Sequence, residues 1–155
     1  LINNASLFEN DKLENFSGKG WDLHLNANLK APALLSKGFA KNTRGKNNNI
    51  INIIDQRVFK LTPYFFSYTL SKAGLYTLTK TSAMSLAPMI RVNGIAPGAI
   101  LAAEWEKERF EKVLAKVPLG RAGKPEDIAK AVKFLSEADY ITGFILPVDG
   151  GWSIT

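Results

Sequence analysis

Tyr68 and Lys72 are the pair of residues in this chain whose types and spacing best suit catalysis. Four positions separate them, so on a helix both side chains would lie on one face, about one turn apart. A free phenol titrates near pH ~10, and a neighbouring ammonium favours the phenolate, so Lys72 is expected to move the pKa of Tyr68 toward a value useful for proton transfer. The same spacing also occurs in ordinary exposed pairs on helix surfaces, so the rest of the chain must decide between the two interpretations.

The segments around this pair alternate between helix-like and strand-like patterns. Residues 67–86 are predicted to form the helix that carries Tyr68 and Lys72, ending before Pro88. Residues 21–40 place apolar side chains at helical spacing, and Pro32 is expected to bend that helix. The other predicted helices are residues 104–116 and 125–136, and the predicted strands are residues 50–54, 91–95 and 144–148.

This alternation predicts the fold class and the location of a binding site. Strands that alternate with helices of this length form an α/β fold, a three-layer doubly wound parallel sheet covered by helices on both faces. Ligands of such sheets bind beyond the carboxyl ends of the strands. The residues expected at those ends are Asn4, Asp55 and the pair Pro97–Gly98.

Composition restricts the class of protein. With 155 residues, 46% apolar and 22% charged, the chain has the makeup of one globular domain. It has no cysteine and a single histidine, His24, so thiolate chemistry is excluded and no metal site is expected; cysteine-free chains are compatible with a cytoplasmic location. The net charge is +6, but acidic residues lie among the basic ones, so no nucleic-acid partner is expected. No apolar run approaches the roughly 18 residues of a membrane helix, so no membrane partner is expected either.

Several short motifs, which together span the whole chain, resemble the ordered motifs of short-chain dehydrogenases/reductases. They are Asn3-Asn4-Ala5-Ser6, Asn28, Tyr68 to Lys72, Pro97-Gly98, Pro118-Leu119-Gly120-Arg121, Pro125-Glu126-Asp127-Ile128-Ala129 and Asp149-Gly150-Gly151. The resemblance implies a Rossmann-type oxidoreductase that binds a nicotinamide cofactor and a small-molecule substrate. It also implies a homodimer or homotetramer in which helices 21–40 and 67–86 pack across an interface.

The resemblance assigns a role to each matching residue. Tyr68 would be the general acid or base, Lys72 would also hold the nicotinamide ribose, and Asn28 would position a water in the proton relay. The cofactor site would comprise Tyr68 and Lys72 with Asn4, Ala5, Ser6, Pro97, Gly98 and Ile100. A threonine that commonly follows the Pro-Gly turn is missing, because Leu101, Ala102 and Ala103 occupy its place, and this puts the usual contact to the cofactor phosphate in doubt.

Asp55 departs from the family pattern, which usually has a serine thirteen residues before the tyrosine. A serine hydroxyl can donate to a substrate carbonyl, whereas an ionised carboxylate only accepts and would repel a developing oxyanion. An aspartate suits a nitrogen heterocycle with N–H donors, or, if protonated, can help to deliver a proton to a ring nitrogen. The substitution resembles pteridine reductases, including the dihydromonapterin reductase group.

The beginning of the chain agrees with this subgroup. Asn4-Ala5-Ser6-Leu7-Phe8 resembles the stretch in pteridine reductases whose serine touches the ligand and whose phenylalanine stacks on the pterin. The resemblance thus implies a substrate site of Ser6, Phe8, Asp55 and Tyr68, although Phe8 would equally suit packing of a loop onto the core.

The motifs also suggest that the sequence is the second half of a longer fold. Members of the family begin with a strand, a glycine-rich turn and a helix that receive the cofactor pyrophosphate, and no such glycine pattern occurs here. We therefore expect residues 1–155 to be a single partial domain, the catalytic half, inactive by itself. The choice of NADPH then rests on the pteridine reductase resemblance alone, and NAD(H) is not excluded.

Three functions remain open at this stage. The leading hypothesis is transfer of hydride from NADPH to a pterin or dihydrofolate-like ring. The enzymatic alternative is a short-chain dehydrogenase/reductase acting on a carbonyl or alcohol, such as a 3-oxoacyl thioester. The alternative of another class is a non-catalytic nucleotide-binding protein with a regulatory or scaffold role, since a fold does not fix function.

Overall fold

The computed structural model describes residues 1–45, 47–101 and 107–155, with only the backbone of residues 107–109. Four strands form one sheet in the order β1-β2-β3-β4, and every neighbouring pair is parallel. The strands are β1 (Ile2–Asn3), β2 (Asn48–Ile53), β3 (Ile90–Pro97) and β4 (Ile145–Val148). The three strands predicted from the sequence are confirmed, with boundaries that differ by a few residues.

The helix predicted for residues 21–40 is longer and less regular than expected. It comprises α1 (Gly18–Leu25), a π-helical turn (Asn26–Lys30) and α2 (Ala31–Asn42). The irregular turn precedes Pro32 in the chain, and Pro32 has no N–H to donate to the carbonyl of Asn28, four residues earlier. The predicted disturbance at Pro32 thus takes the form of a π-helical turn centred on Asn28, a feature that is frequent at functional sites.

The remaining helices follow the predicted order. The helix α3 (Phe66–Leu86) carries Tyr68 and Lys72 in its first two turns. The helices α4 (Lys107–Leu114) and α5 (Pro125–Glu137) lie within or close to their predicted ranges, and residues 104–106 of the predicted fourth helix lie outside the described residues. Within the described ranges, no helix has the length and apolarity needed to span a membrane.

Helices cover both faces of the sheet, which confirms the predicted three-layer α/β architecture. Ile50 packs with Ala83 of α3 on one face, whereas the next residue, Ile51, packs with Leu135 of α5 on the other. Because successive side chains of a strand point to opposite faces, a strand buried on both sides needs apolar residues at consecutive positions. This requirement explains the continuous run Ile50-Ile51 and the pair Ile95-Ala96 near the end of β3, whose side chains belong to different core clusters.

A buried polar chain ties two strands to α3. Asn3 of β1 donates to Oδ1 of Asn52 over 2.7 Å, and Asn52 donates to Oγ1 of Thr79 over 2.9 Å. Thr79 in turn donates to the backbone carbonyl of Leu75 in the same helix. Buried amides require such partners, so this series of hydrogen bonds fixes the position of α3 along the strand direction of the sheet. The carboxyl ends of β1 and β2 are thereby held beside the first turns of α3, where Tyr68 and Lys72 lie.

Candidate active site

A cleft of about 910 Å³ lies at the carboxyl ends of the strands. Its volume is typical of a small-molecule site. The structure brings nine of the predicted site residues together in its lining, namely Asn4, Ser6, Phe8, Asp55, Tyr68, Lys72, Pro97, Gly98 and Ile100. Two predicted site residues, Ala5 and Asn28, lie outside this lining, and Asn28 is completely buried.

Tyr68 is hydrogen bonded to the carboxylate that replaces the family serine. It lies in the first turn of α3 with only 5% of its surface exposed, and its hydroxyl donates to Oδ2 of Asp55 over 2.8 Å. Burial and then the negative charge and hydrogen bond of Asp55 raise the pKa of Tyr68 well above its usual value, while Arg57 and Ser6 oppose the rise. The expected lowering of the Tyr68 pKa was therefore wrong, because burial and Asp55 raise it.

Lys72 is buried, and its ammonium is turned toward the sheet. Its Nζ donates to the carbonyl of Ile53 over 2.9 Å and lies 5.7 Å from the centroid of the Tyr68 ring. Burial lowers the pKa of Lys72 to about 8, although the nearby Asp55 partly offsets this effect. An ammonium has three N–H groups, so the bond to Ile53 leaves it the capacity to bind further oxygen atoms in the cleft.

Asp55 is held by Arg57, a residue that the sequence analysis did not single out. The Asp55 Oδ1 accepts from the backbone N–H of Arg57 over 2.7 Å, and the guanidinium lies 3.4 Å from Oδ2. The local sequence could have indicated this contact, because aspartates often accept a hydrogen bond from the backbone two residues later. Asp55 therefore contacts both the Arg57 guanidinium and the hydroxyl of Tyr68, the candidate catalytic group.

The loop between β1 and α1, residues 4–17, is fixed by Asn28. Its Oδ1 accepts from the backbone N–H of Leu7 over 2.8 Å and from the hydroxyl of Ser6 over 3.2 Å. Its Nδ2 donates to the carbonyl of Leu7 and to the hydroxyl of Ser71 in α3. These four bonds occupy the donors and acceptors of the amide, so a relay water would have to use the backbone carbonyl of Asn28.

The same loop caps the helix that carries Tyr68. The N-cap residue of α3, Phe65, has φ 58° and makes no capping bond with its own side chain. The acceptors instead come from a distant part of the sequence: Asn10 accepts from the N–H of Phe65, and Asp11 accepts from the N–H groups of Phe66 and Ser67. A carboxylate at this position also interacts favourably with the helix dipole.

His24 also supports the amino terminus of α3. The N–H of Glu9 donates to Nε2 of His24 over 3.2 Å, so the ring proton is assigned to Nδ1, which lies 2.7 Å from Oγ of Ser67. The hydroxyl of Ser67 then donates to Asp11. The buried His24 therefore has a structural role, linking α1 to the amino terminus of α3 through Ser67.

Phe8 lies inside the cleft with an aromatic support behind it. Its ring stacks on Phe65, with centroids 4.5 Å apart and planes 6° apart, and it meets the Tyr68 ring edge to face at 4.8 Å. Such pairs fix ring orientation. Phe8 thus packs the loop onto the protein, as one interpretation expected, and lines the cleft as the other required; its stacking on a ligand stays a prediction.

Gly98 has a packing reason for being glycine. A Cβ atom at this position would lie 2.6 Å from the Cα of Asp149, in the turn that follows β4. Asp149 stabilises that turn by accepting from the N–H groups of Gly151 and Ser153. The close approach joins the ends of β3 and β4, so the Pro97–Gly98 turn is held on the cleft wall by the Asp149-Gly150-Gly151 segment.

Metal chemistry has no ligand set in the described part of the chain. Within residues 1–45, 47–101 and 107–155, no three His, Asp or Glu side chains lie close enough together to hold a metal ion.

Comparison with known proteins agrees with this geometry. A family model described as enoyl-(acyl carrier protein) reductase matches residues 1–153. The chain belongs to the short-chain dehydrogenase/reductase family. Human dehydrogenase/reductase SDR family member 4 is 39% identical over 84% of this chain and 50% of its own length. The 2-dehydro-3-deoxy-D-gluconate 5-dehydrogenase of Escherichia coli is 35% identical over 98% of this chain and 64% of its own.

Solved structures in the family superpose closely on the chain. FolM alternative dihydrofolate reductase 1 from Brucella canis, in complex with NADP, has a TM-score of 0.93 and 43% identity over 99% of this chain and 62% of its own. A putative 2-deoxy-d-gluconate 3-dehydrogenase from Agrobacterium tumefaciens with bound NADP has a TM-score of 0.90 and 36% identity, covering 99% of this chain and 67% of that one. The chain spans less than two thirds of the length of its first curated relatives.

Burial of Lys72 predicts a pH dependence of stability. Its folded pKa is about 8, whereas an unfolded lysine titrates near pH ~10.4. Between these values the unfolded chain binds a proton that the folded chain does not, so the free energy of unfolding should rise with pH, by at most about 3 kcal/mol. Urea unfolding between pH ~8 and ~9 lies below the range in which Tyr68 acts in the opposite direction. In this window the free energy of unfolding should rise less steeply with pH for Lys72→Met than for the parent. The exposed Lys133→Met serves as control, and a Lys72→Met slope equal to that of the parent would contradict the prediction.

Loss of the remote cap should weaken the docking of the loop. We expect Asp11→Ala to lower the free energy of unfolding by about 2 kcal/mol, because it leaves the Ser67 N–H and hydroxyl without their acceptor. The matched change Glu14→Ala, in the same loop but exposed, should cost less than about 0.5 kcal/mol. Denaturant unfolding measures both values, and equal costs would show that Asp11 has no special role.

A methyl group at Gly98 should disturb the contact between the ends of β3 and β4. We expect Gly98→Ala to lower the free energy of unfolding by about 2 kcal/mol, because the added carbon meets the Asp149 backbone, which cannot rotate away. Gly38→Ala in α2, where the added carbon meets open space, should instead stabilise the protein by about 0.5–1 kcal/mol. Thermal unfolding measures the stability of both variants. A Gly98→Ala variant as stable as the parent would overturn this account of the turn.

Proposed function

We propose that this short-chain dehydrogenase/reductase transfers hydride from NADPH to a pterin or dihydrofolate-like ring. The observation that carries the proposal is the hydrogen bond between Tyr68 and Asp55, which places a carboxylate where the family usually has a serine hydroxyl. A carboxylate accepts hydrogen bonds from the N–H groups of a heterocycle and disfavours an oxyanion. The 43% identity with an alternative dihydrofolate reductase supports the same substrate class.

The residues of the cleft fit a nicotinamide cofactor. Lys72 presents a buried ammonium that donates to Ile53 and has further N–H groups for the hydroxyls of a ribose. The Pro97–Gly98 turn lines the same cleft and offers backbone groups to a carboxamide, together with Ile100. When bound, NADPH would supply the hydride. NADP is present in the two solved relatives described above, which favours the phosphorylated cofactor over NAD(H).

Tyr68 is placed to act as the proton donor. Its phenol is protonated at neutral pH, as the protonation of a ring nitrogen requires, but burial and Asp55 raise its pKa and make it a weaker acid. The nearby ammonium of Lys72 would favour the phenolate as the proton leaves. In the observed arrangement the proton points to Asp55, so the hydroxyl would rotate toward the ring nitrogen when a substrate enters. Asp55 would then accept N–H groups of the same ring, and a water on the backbone carbonyl of Asn28 would return a proton toward Tyr68 and Lys72.

The loop residues would complete the substrate site. Phe8 offers an aromatic ring supported by Phe65, which suits a flat heterocycle, and Ser6 lies in the same lining. Asn4, Ala5 and Ser6 lie where the chain leaves β1 and would contact the cofactor from the side opposite the Pro97–Gly98 turn. These assignments rest on the family motif and on the shared cleft.

Reduction of a carbonyl is the second candidate. The 3-oxoacyl-[acyl-carrier-protein] reductase FabG of Thermotoga maritima is 35% identical over 97% of this chain and 64% of its own length. In that reaction Asp55 would need a different role, because its charge would oppose an oxyanion. A non-catalytic role is disfavoured, because Tyr68 and Lys72 both line the cleft.

We further infer that the protein acts in the cytoplasm on small molecules and assembles as a homodimer or homotetramer. Exposed apolar side chains on α2 and α3 support assembly, among them Leu34, Leu35 and Met84.

Turnover assays on the intact protein test the proposal. NADPH oxidation would be followed with dihydrobiopterin, dihydromonapterin, dihydrofolate and a panel of ketones. We expect pterin turnover in the parent, a loss of at least about 100-fold in Tyr68→Phe, and a marked loss in Asp55→Ser. The control is Tyr76→Phe, on the same helix but half-buried against a core cluster outside the cleft lining. Turnover confined to ketones, with Asp55→Ser as active as the parent, would favour the carbonyl alternative.

A further inference from the structure

Arg57 contacts Asp55, Phe8 and Phe65 at the same time. Its backbone and guanidinium bind the carboxylate, and its guanidinium carbon lies 4.6 Å from the centroid of the Phe65 ring and 5.1 Å from that of Phe8. Arg57 also lines the cleft. None of the family motifs found in the sequence includes this position.

The ion pair differs from an ordinary surface salt bridge. The side chains of Arg57 and Asp55 are 12% and 14% exposed, whereas those of Arg121 and Asp127, also an ion pair, are 54% and 26% exposed. Sheltered charges interact more strongly than exposed ones, because water screens them less. The loss of one partner would leave Asp55 beside Tyr68 without its nearest compensating charge.

The geometry of the contact also fixes where the carboxylate points. Oδ1 is occupied by the backbone N–H of Arg57, which leaves Oδ2 directed at the hydroxyl of Tyr68. The planar guanidinium lies against the ring pair that supports the proposed substrate stack. One side chain therefore connects the orientation of Asp55 with the position of Phe8, the two residues on which the choice of a flat ring would depend.

We propose that Arg57 is a positioning residue that determines substrate specificity, holding Asp55 and the Phe8–Phe65 ring pair so that the cleft accepts a flat heterocycle with N–H donors. This inference rests on the proposed function, since a flat nitrogen ring is the substrate class it explains. Arg57 acts through Asp55 and the ring pair and transfers no proton itself. Lysine could replace its charge but neither its planar fork nor its stacking on aromatic rings.

A double-mutant cycle on the intact protein tests the inference. The kcat and KM for dihydropterin reduction would be measured for the parent, Arg57→Met, Asp55→Asn and the double variant, with NADPH affinity measured separately. We expect Arg57→Met to lower kcat/KM by about 10- to 100-fold with unchanged NADPH affinity. If Arg57 acts through Asp55, the double variant should lose little more than Asp55→Asn alone. Arg57→Lys should recover only part of the loss.

The controls distinguish positioning from folding and from a wrong substrate class. Thermal unfolding identifies any variant that fails to fold; Arg57→Lys, the smaller change, then takes the place of Arg57→Met in the cycle. Arg121→Met, which breaks an ion pair outside the cleft lining, should leave kcat/KM unchanged. Two outcomes would overturn the inference about Arg57 while leaving the proposed function intact, provided that the parent reduces pterins. One is a double variant whose loss equals the product of the two single losses, and the other is an Arg57→Met variant that loses no activity. A parent protein that reduces only ketones overturns the proposed function, and the role of Arg57 with it.

Discussion

The amino terminus of α3 imposes the constraint on which the site depends. The first N–H groups of a helix need acceptors outside the helix, and Phe65, with φ 58°, supplies none from its side chain. Asn10 and Asp11 supply them from a loop more than fifty residues earlier in the chain. Satisfying the helix that carries Tyr68 therefore fixes the loop that carries Ser6 and Phe8, so one set of hydrogen bonds orders both sides of the cleft.

A second constraint comes from charge in a sheltered cleft. Lys72, Asp55 and Arg57 lie around a phenol that is almost fully buried, and burial opposes the charged form of each ionisable group. Lys72 shows the cost in its lowered pKa, and Asp55 partly restores its charge. The carboxylate contacts Arg57 and interacts at longer range with Lys72, so no single residue of the group can be exchanged without changing the electrostatics of the others.

The sequence predicted the parts of this structure that depend on local pattern. Periodicity indicated the strands and helices, and motif resemblance brought Asp55, Tyr68 and Lys72 to one cleft. It did not predict the contacts between residues distant in the chain: Asp11 and His24 meet at Ser67 only after folding. The direction of the Tyr68 pKa shift could not be predicted either. Helical spacing gives the distance to Lys72, but it gives neither the burial of the phenol nor its hydrogen bond to Asp55.

The presence of Asp55 in place of a serine bears on proton transfer at Tyr68 as well as on the substrate. Oxidation of an alcohol needs a phenolate to receive a proton, and both burial and Asp55 oppose the formation of that phenolate at Tyr68. Reduction starts from the protonated phenol, which the same two effects favour, but donation of the proton forms the phenolate that they disfavour. A carboxylate at this position therefore keeps Tyr68 protonated before the reaction and makes it a weaker acid during it, at the expense of the hydroxyl donor that a carbonyl substrate would use. A ring nitrogen that gains a proton as the neighbouring carbon gains hydride develops no oxyanion, so it is the acceptor that this electrostatic arrangement disfavours least.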